Sequence, residues 1–390
     1  MKIIVLAGGL SPERDVSLTS GAGICKTLRE RGHQAFLLDV FFGLPYPSEK
    51  LSEVFELPGA GLEIADGIKT TTPDLEALKA SRPDQSECYF GPNVVELCRL
   101  ADITFIALHG SVGENGKIQA TFDILGIKYT GPNSLGCSLS MNKLVAKQIF
   151  KMSRVPTPRG TSLTWKTKDT PLDELGYYLP LVIKPCSSGS SIGVYIVHTE
   201  DEYREAVRQS FEVDRQDEVV IEPYIKGREY ACSIIGGKAF PLVEIIPKNG
   251  VFNYENKYQS GGAEELCPPR SLDEKTQKKI RRAGEKAFEA LRMDVYARAD
   301  FIVDETDGRF YCLEMNGLPG MTPSSLIPKA AKAEGLDYGD LCELIIEESM
   351  KTRYSGKYYE GLPRHLSRRS CKAWPGSLRC SDRQPEGRER

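Results

Sequence analysis

The chain has 390 residues, too many for one hydrophobic core of ordinary size, so we expect two or three domains that share a cleft. With 40% apolar and 27% charged residues, the composition is that of a folded globular protein and excludes disordered and fibrous chains. The formal charge of −3 excludes a strongly basic nucleic-acid binder, although Lys and Arg outnumber acidic residues 11 to 4 from residue 351 onward.

The cysteines and the apolar runs indicate a compartment. The 11 cysteines are scattered, and no two have the C-x-x-C spacing of a zinc site or redox pair, so we expect reduced thiols. The first apolar run, Ile3–Ala7, is short and is followed by glycines and charges, and no later run is long enough to cross a bilayer. We therefore expect a cytoplasmic protein without signal peptide or anchor, which binds neither membranes nor nucleic acid.

The first segment predicts a parallel sheet. Ile3–Ala7 resembles a buried strand, a helix is predicted over about 17–32, and Ala35–Val40 is the next strand. Open α/β sheets bind ligands at the carboxyl ends of their strands. Functional residues should therefore gather in the glycine-containing turn at residues 8–17.

A weakly patterned region rich in Pro, Gly and acids, Phe41–Pro92, interrupts this sheet and is interpreted as a surface elaboration. Ile103–Leu108 resumes the sheet. His109 and Glu114 follow in a loop at the same sheet edge, where a general base or substrate-binding residue would lie, although a lone histidine is more often structural.

A second domain should begin near residue 140, where Ser140 is predicted to cap a helix over Met141–Met152. Two short strands, Leu181–Lys184 and Val194–His198, are joined by the glycine–serine loop 185–193. This order predicts a strand–loop–strand unit.

A hinge at residues 223–227 should lead into a third domain. A capping-box spacing at Ser271 opens a helix that reaches about Met293. The remaining predicted elements are a helix at 200–210 and strands at 219–222, 229–235, 240–246, 297–304 and 309–315. We expect domains at 1–139, 140–226 and 227–353, and a disordered basic tail at 354–390.

Two segments place Arg298 and Asp300 on one strand and Glu314 and Asn316 on the next. A three-residue hairpin loop at 306–308, with its glycine left-handed, pairs 300 with 314 and 298 with 316; a two-residue turn would put the two carboxylates on opposite faces. We adopt the longer loop. The oxygen ligands then suit Mg²⁺ with substrate phosphates, although a solvated sheet face explains the spacing equally well.

The glycine–serine loop offers backbone N–H groups and hydroxyls for an anion, and Lys184 precedes it. A plain surface turn is the commoner fate of such a loop, but the context favours phosphate binding. Residues 189–193 also match G-x-S-x-G, the nucleophile elbow of serine hydrolases, which requires a helix after the serine. The residues that follow, 194–197, predict a strand, so we discount this alternative. No Walker A motif is present.

Together these segments resemble the D-alanine–D-alanine ligase family of the ATP-grasp superfamily, over about residues 2–350. Several short motifs in one fixed order are far less probable by chance than any single motif. The matching motifs are Gly8 to Ser17, Leu108-His109-Gly110, Tyr129-Thr130-Gly131, Lys184-Pro185, Gly189 to Gly193, Lys257-Tyr258, Arg298-Ala299-Asp300 and Glu314 to Thr322.

The resemblance implies a three-domain α/β architecture: an N-terminal parallel-sheet domain and two α+β ATP-grasp domains that clamp ATP. It implies that ATP phosphorylates the carboxylate of one D-alanine and that the amine of a second attacks the acyl phosphate. The dipeptide would serve peptidoglycan precursor synthesis. A homodimer is the expected assembly.

The resemblance also implies residue roles. Glu13 would hold the ammonium of the first substrate with help from His109, and Arg298 would stabilise the oxyanion. Ser190 and Tyr258 would close the lid over the site. The second substrate would be bordered by Gly320, Ser325 and Leu326.

For the nucleotide, the phosphates would be neutralised by Lys143, Lys184 and Lys257. Adenine would meet the segment that contains Glu222, Tyr224 and Ile225, and the ribose would meet Glu229. Two Mg²⁺ ions, replaceable by Mn²⁺, would be held by Asp300, Glu314 and Asn316. One departure from the family pattern precedes Lys143, where Asn142 replaces the common aspartate.

Three alternative functions compete with this prediction, the hydrolase being the remote one. A ligase of the same family could join D-alanine to D-serine or D-lactate, although Lys257-Tyr258 favours the dipeptide. A G-x-S-x-G hydrolase would cleave esters without a nucleotide. A nucleotide-binding protein without turnover ranks last, because every ligand position retains a competent side chain.

Overall fold

The structure, a computed structural model, describes residues 1–65, 67, 73–189, 192–213, 217–247 and 263–355. The first of its three sheets is parallel, with strand order β2-β1-β3. Its strands are β1 (Lys2–Ala7), β2 (Gln34–Asp39) and β3 (Ile103–Ile106). The parallel sheet predicted from the first segment is therefore confirmed.

Helix α1 (Arg14–Glu30) crosses from β1 to β2 and begins three residues earlier than the predicted helix. Its buried residues recur every three or four positions, which gives one face that packs on the sheet. Gly21 lies on this face, where a Cβ would come within 2.7 Å of the Ala7 Cβ. The helix therefore sits directly above the turn that follows β1.

The described residues of the region 41–92 pack on the first sheet through the buried side chains of Leu51, Val54 and Phe55. It contains 3-10 turns at Ser48–Glu56 and Leu62–Ile64 and helix α2 (Leu75–Ala80). The further helices of this part of the chain are α3 (Val94–Leu100), α4 (Ser111–Glu114), α5 (Lys117–Leu125) and α6 (Ser134–Met141).

The second sheet is antiparallel, with strand order β4-β7-β5-β6. Its strands are β4 (Thr161–Thr164), β5 (Leu181–Pro185), β6 (Tyr195–Val197) and β7 (Glu218–Pro223), and its helices are α7 (Lys143–Met152), α8 (Leu172–Leu175) and α9 (Glu200–Glu212). Residues 192–193 turn into β6. A nucleophile elbow leads into a helix, so the hydrolase interpretation is wrong.

The cap predicted at Ser140 is also wrong, because α6 runs through that residue. Asn142 caps α7 instead, and its side-chain oxygen accepts the Val145 N–H at 2.9 Å. The residue that departs from the family pattern therefore retains a structural role as a helix cap.

The third sheet has the order β11-β10-β8-β12-β13, and β9 pairs with β8. Its strands are β8 (Gly227–Ile235), β9 (Lys238–Ala239), β10 (Val243–Pro247), β11 (Ala263–Leu266), β12 (Tyr296–Asp304) and β13 (Phe310–Asn316). The helices around it are α10 (Glu274–Ala290), α11 (Leu326–Ala333) and α12 (Tyr338–Tyr354). The cap of α10 is Asp273, which accepts the Thr276 N–H at 2.8 Å, and not the predicted Ser271.

The hairpin between β12 and β13 differs from its prediction. The Asp304 N–H donates to the Arg309 carbonyl, so the loop has four residues, 305–308, and Gly308 is left-handed as expected. A bulge beside Asp300 then shifts the register by one residue. The predicted pairing of 300 with 314 and of 298 with 316 is confirmed, but through a longer loop and a compensating bulge.

The described chain ends one residue after α12. Tyr354, assigned to the tail by sequence, belongs to this helix, and its hydroxyl accepts the Tyr129 N–H at 3.2 Å. Residues 356–390 lie outside the described part of the chain. Within the described residues, the cysteines are free thiols, and no helix has the length and apolar character needed to cross a bilayer.

Candidate active site

Two pockets adjoin at the centre of the molecule. The first, the cleft, lies between the second and third sheets; the second, the inner pocket, lies between the edge of the first sheet and the third sheet. Gly189 and Glu314 border both pockets. A ligand in the cleft could therefore reach a ligand in the inner pocket.

One end of the cleft is apolar. Val182 and Ile196 lie opposite each other on β5 and β6, and Ile245 and Ile302 approach from the third sheet. Ile196 is 36% exposed, unusually high for isoleucine within a fold, because its side chain faces the cleft. Two facing apolar surfaces suit a flat ring. Tyr224 and Ile225 complete this end of the cleft.

The middle of the cleft contains a buried cluster of charges. The Glu222 carboxylate, 2% exposed, contacts the Lys147 ammonium at 2.7 Å and the Lys184 ammonium at 3.0 Å. Burial acts to raise the pKa of Glu222, but the two lysines together hold it below its ordinary value. Two cations share one anion, so one positive charge is left over.

Lys147 was not predicted from the sequence as a residue of the site. It lies one helical turn after Lys143 on α7, which is the spacing that places two side chains on one helix face. That spacing was the available signal. Burial lowers the pKa of Lys147, and its ammonium also donates to Thr157 and to the Pro158 carbonyl.

Lys143 connects the glycine–serine loop to the third sheet. Its ammonium donates to the Ser188 carbonyl and lies 3.4 Å from Glu314 Oε2, while its backbone N–H donates to the Cys186 carbonyl at 2.9 Å. The backbone of the glycine–serine loop therefore lies beside the ammonium group of Lys143. Ser190, predicted to act here, lies outside the described residues.

The acidic cluster on β12 and β13 borders both pockets. Arg298 forms two 2.7 Å hydrogen bonds with Asp300, and the Asn316 amide N–H donates to Asp300 at 2.9 Å. This orientation leaves the Asn316 carbonyl oxygen as the remaining acceptor of that side chain. The described residues contain no cluster of three His, Cys, Asp or Glu side chains, so a metal here would need the amide and ligand oxygens.

Glu13 lies in the inner pocket, at the end of the turn after β1, and is buried. Glycines at two positions allow its approach. A Cβ on Gly189 would come 3.2 Å from Glu13 Oε2, and one on Gly110, whose φ is +87°, would come 3.3 Å from it. The carboxylate is thus held between the first sheet edge and the glycine–serine loop.

His109 follows β3 and uses both ring nitrogens within the protein. Nδ1 lies 2.9 Å from the Leu318 carbonyl, and Nε2 lies 3.2 Å from the Ser20 hydroxyl. Burial lowers the pKa of His109, so the neutral ring donates through Nδ1–H and accepts the Ser20 hydroxyl.

Glu114 is the second titratable group of this loop. Its Oε1 accepts the Leu318 N–H at 3.3 Å. Burial, reinforced by the neighbouring Glu13 charge, raises the pKa of Glu114 to about 8. The sequence placed this residue near the site without a role.

The far side of the inner pocket is the turn before α11. The Thr322 and Ser325 hydroxyls lie 2.7 Å apart, and the Ser325 N–H donates to the Thr322 carbonyl at 2.8 Å. A Cβ on Gly320 would come 3.2 Å from the Ser325 hydroxyl oxygen. This turn therefore presents hydroxyls and, at Leu326, the first residue of a helix.

Comparison with known proteins identifies the family. The model of the D-ala D-ala ligase N-terminus matches residues 2–132, and that of the D-ala D-ala ligase C-terminus matches residues 161–347. The chain belongs to the D-alanine–D-alanine ligase family. The family inferred from the sequence motifs is confirmed.

Individual ligases agree with this assignment. The chain is 37% identical to the D-alanine–D-alanine ligase of Lacticaseibacillus casei over 364 residues, which is 93% of this chain and 99% of the relative. It is 39% identical to that of Pediococcus pentosaceus over 349 residues, covering 89% of this chain and 97% of the relative.

Solved structures of the family share the fold. A D-alanine–D-alanine ligase from Bacillus anthracis complexed with ATP is 32% identical, with a TM-score of 0.68 over 90% of this chain and 98% of that chain. A D-Ala:D-Ser ligase from Enterococcus faecalis, 24% identical with a TM-score of 0.67 over 89% and 99%, shows the fold alone.

The structure gathers the described residues that the family resemblance singled out. The cleft is lined by Lys143, Lys184, Glu222, Tyr224, Ile225, Glu229, Asp300 and Glu314. The inner pocket is lined by Glu13, His109, Arg298, Glu314, Asn316, Gly320, Ser325 and Leu326. Lys257 and Tyr258, like Ser190, lie outside the described residues. The individual roles of all these residues stay predictions.

Proposed function

We propose that this ligase joins two D-alanine molecules into D-alanyl-D-alanine at the expense of ATP, which leaves as ADP and phosphate. The observation that carries the proposal is the junction of the two pockets at Gly189 and Glu314. The phosphate end of a nucleotide in the cleft would meet a carboxylate bound in the inner pocket.

The cleft suits ATP at both ends. The facing apolar side chains, including Val182 and Ile302, would enclose adenine, and Glu229 would meet the ribose. The charge left over from Lys147, Lys184 and Glu222 would face the phosphates, together with Lys143. The relative from Bacillus anthracis, whose structure is complexed with ATP, supports ATP as the nucleotide.

The oxygen donors at the junction fit Mg²⁺. Asp300, Glu314 and the carbonyl oxygen of Asn316 would hold it with ligand phosphates, a donor set that Mg²⁺ prefers and Mn²⁺ shares. When bound, the metal would neutralise charge that develops on the transferring phosphoryl group.

The inner pocket would bind both amino acids. Glu13 would pair with the ammonium of the first, whose carboxylate oxygen attacks the terminal phosphorus as the bond to ADP breaks. The amine of the second, having lost a proton, then attacks the acyl carbon, and phosphate leaves as the peptide bond forms. Arg298, beside Asp300, would stabilise the oxyanion of the tetrahedral intermediate.

D-Alanine is proposed as the second substrate because the curated relatives quoted above are D-alanine–D-alanine ligases. The product would feed peptidoglycan precursor synthesis. A cytoplasmic homodimer stays our prediction for location and assembly.

The proposal is tested by phosphate release from Mg·ATP with D-alanine alone, with D-alanine plus D-serine or D-lactate, and with L-alanine, products being identified by mass. We expect release that depends on D-alanine and a dipeptide as the main product. A mixed product formed in preference would replace the second substrate. No release with any acceptor would contradict the ligase activity.

A further inference from the structure

The loop after β3 holds the backbone of one distant residue from both sides. The His109 ring donates to the Leu318 carbonyl at 2.9 Å, and the Glu114 carboxyl accepts the Leu318 N–H at 3.3 Å. The contact spans more than 200 residues of sequence. A side-chain donor and a side-chain acceptor of the same loop thus satisfy both polar backbone groups of Leu318.

Leu318 needs such partners because it is buried. Its side chain is 1% exposed and lies in the core of the first sheet, so close to Gly131 that a Cβ there would come 2.8 Å from a Leu318 methyl group. Buried backbone N–H and C=O groups without partners are costly. Among the residues that the structure describes, no strand of the third sheet supplies them, since β13 ends at Asn316.

Leu318 lies between two parts of the reaction site. Asn316, two residues before it, belongs to the acidic cluster, and Gly320, two residues after it, opens the turn that carries Ser325. Glu13 borders the same pocket from the turn after β1. The position of Leu318 therefore sets the distance between the two proposed amino-acid subsites.

We propose that His109 and Glu114 are positioning residues that clamp the backbone of Leu318 and thereby fix the second amino-acid subsite relative to Glu13. This inference rests on the proposed function. It reassigns His109: with Nε2 directed at Ser20 and Nδ1 at the Leu318 carbonyl, the ring acts through the protein backbone and not on the substrate ammonium.

The clamp distinguishes hydrogen bonding from charge. A glutamine at position 114 retains an oxygen that accepts the Leu318 N–H but removes the acid, whereas an alanine removes both. An asparagine at 109 keeps a donor near the position of Nδ1. Lys117→Ala, an exposed change in the following helix, is the control.

The kinetic test fits the initial rate against D-alanine concentration with separate constants for the two subsites. For Glu114→Ala we expect the second constant to rise about five- to tenfold, the effect of one backbone hydrogen bond, while the first changes less than about twofold. Glu114→Gln should restore most of the loss. His109→Asn should be milder than His109→Ala, and Lys117→Ala should match the parent.

An unchanged second constant in Glu114→Ala would overturn the clamp, and so would Glu114→Gln behaving like Glu114→Ala. Hydrogen–deuterium exchange at the Leu318 amide tests the same bond without turnover. We expect exchange about five- to tenfold faster in Glu114→Ala and near the parent rate in Glu114→Gln. Equal exchange in all three proteins refutes the clamp, whereas lack of dipeptide synthesis by the parent refutes only the proposed function.

Discussion

The buried cluster of Lys147, Lys184 and Glu222 gives the sharpest quantitative prediction. Glu222 is 2% exposed and contacts both ammonium groups within 3.0 Å. Glu222→Gln would leave two buried cations without an anion, whereas Lys147→Met would leave one buried pair intact. The two substitutions should therefore differ in their effect on the free energy of unfolding.

The magnitudes follow from what each change leaves behind. Removing the anion from a buried ion pair costs about 3–5 kcal/mol, so we expect Glu222→Gln to destabilise by that amount. Lys147→Met removes a hydrogen bond to a charged group, worth about 1.5–3 kcal/mol, but also relieves the burial of one ammonium. We expect a net loss below about 2 kcal/mol, with a roughly tenfold rise in the KM for ATP because the leftover positive charge is gone.

Urea denaturation followed by tryptophan fluorescence would measure the free energy of unfolding of both variants. Initial rates at varied ATP concentration would measure the KM. Trp165 lies at the end of β4 and packs edge-on against Phe211, so it reports the second sheet. A chain ending at residue 355 has Trp165 as its only tryptophan. Glu218→Gln, on the same strand as Glu222 but half-buried, is the matched control and should cost less than about 1 kcal/mol.

The order of the two effects decides the matter. If Lys147→Met destabilised as much as Glu222→Gln, the argument from the uncompensated charge would fail. If the KM for ATP were unchanged in Lys147→Met, the cluster would not contribute charge to the nucleotide.

Three further outcomes are expected. Glu314→Gln should abolish dipeptide synthesis while its melting temperature stays near the parent's, whereas the exposed control Glu305→Gln should remain active. Near-normal turnover of Glu314→Gln would rule out the metal role. Deleting residues 356–390 should leave the rate of dipeptide synthesis intact. Ending the chain at residue 352 should lower the melting temperature, because it removes Arg353, whose guanidinium lies 4.4 Å from the Tyr129 ring centre. Equal melting curves of the two truncated proteins would contradict the role of Arg353. Because the pKa of Glu114 is raised to about 8 in the folded state, the folded protein binds more protons than the unfolded one between about pH 5 and 8. This group therefore makes the unfolding free energy fall as the pH rises. Glu114→Gln should flatten that slope in urea titrations at several pH values, and an unchanged slope would exclude the raised pKa.

Local patterns predicted much of this protein. Strands β1, β5 and β12 and the order of strand, glycine turn and helix follow from apolar periodicity and turn residues, which act over a few neighbours. The residue types of the acidic cluster were recognisable for the same reason, since Arg298 and Asp300 are two apart on one strand.

The hairpin shows where local reasoning reached a correct pairing by an incorrect route. The sequence predicted a loop of three residues, while the fold uses four and restores the register with a bulge beside Asp300. The helix caps show the same limit, because the sequence predicted Ser140 as the cap of α7, whereas α6 runs through Ser140 and Asn142 is the cap.

By itself the sequence determined the family, the chemistry of the side chains and the succession of elements, because these depend on residue types at short spacings. Only the tertiary structure decided that Lys147 shares Glu222 with Lys184 and that His109 and Glu114 hold Leu318. Those contacts join residues that are distant in sequence. Their geometry depends on how three sheets pack together, and no local spacing encodes that arrangement.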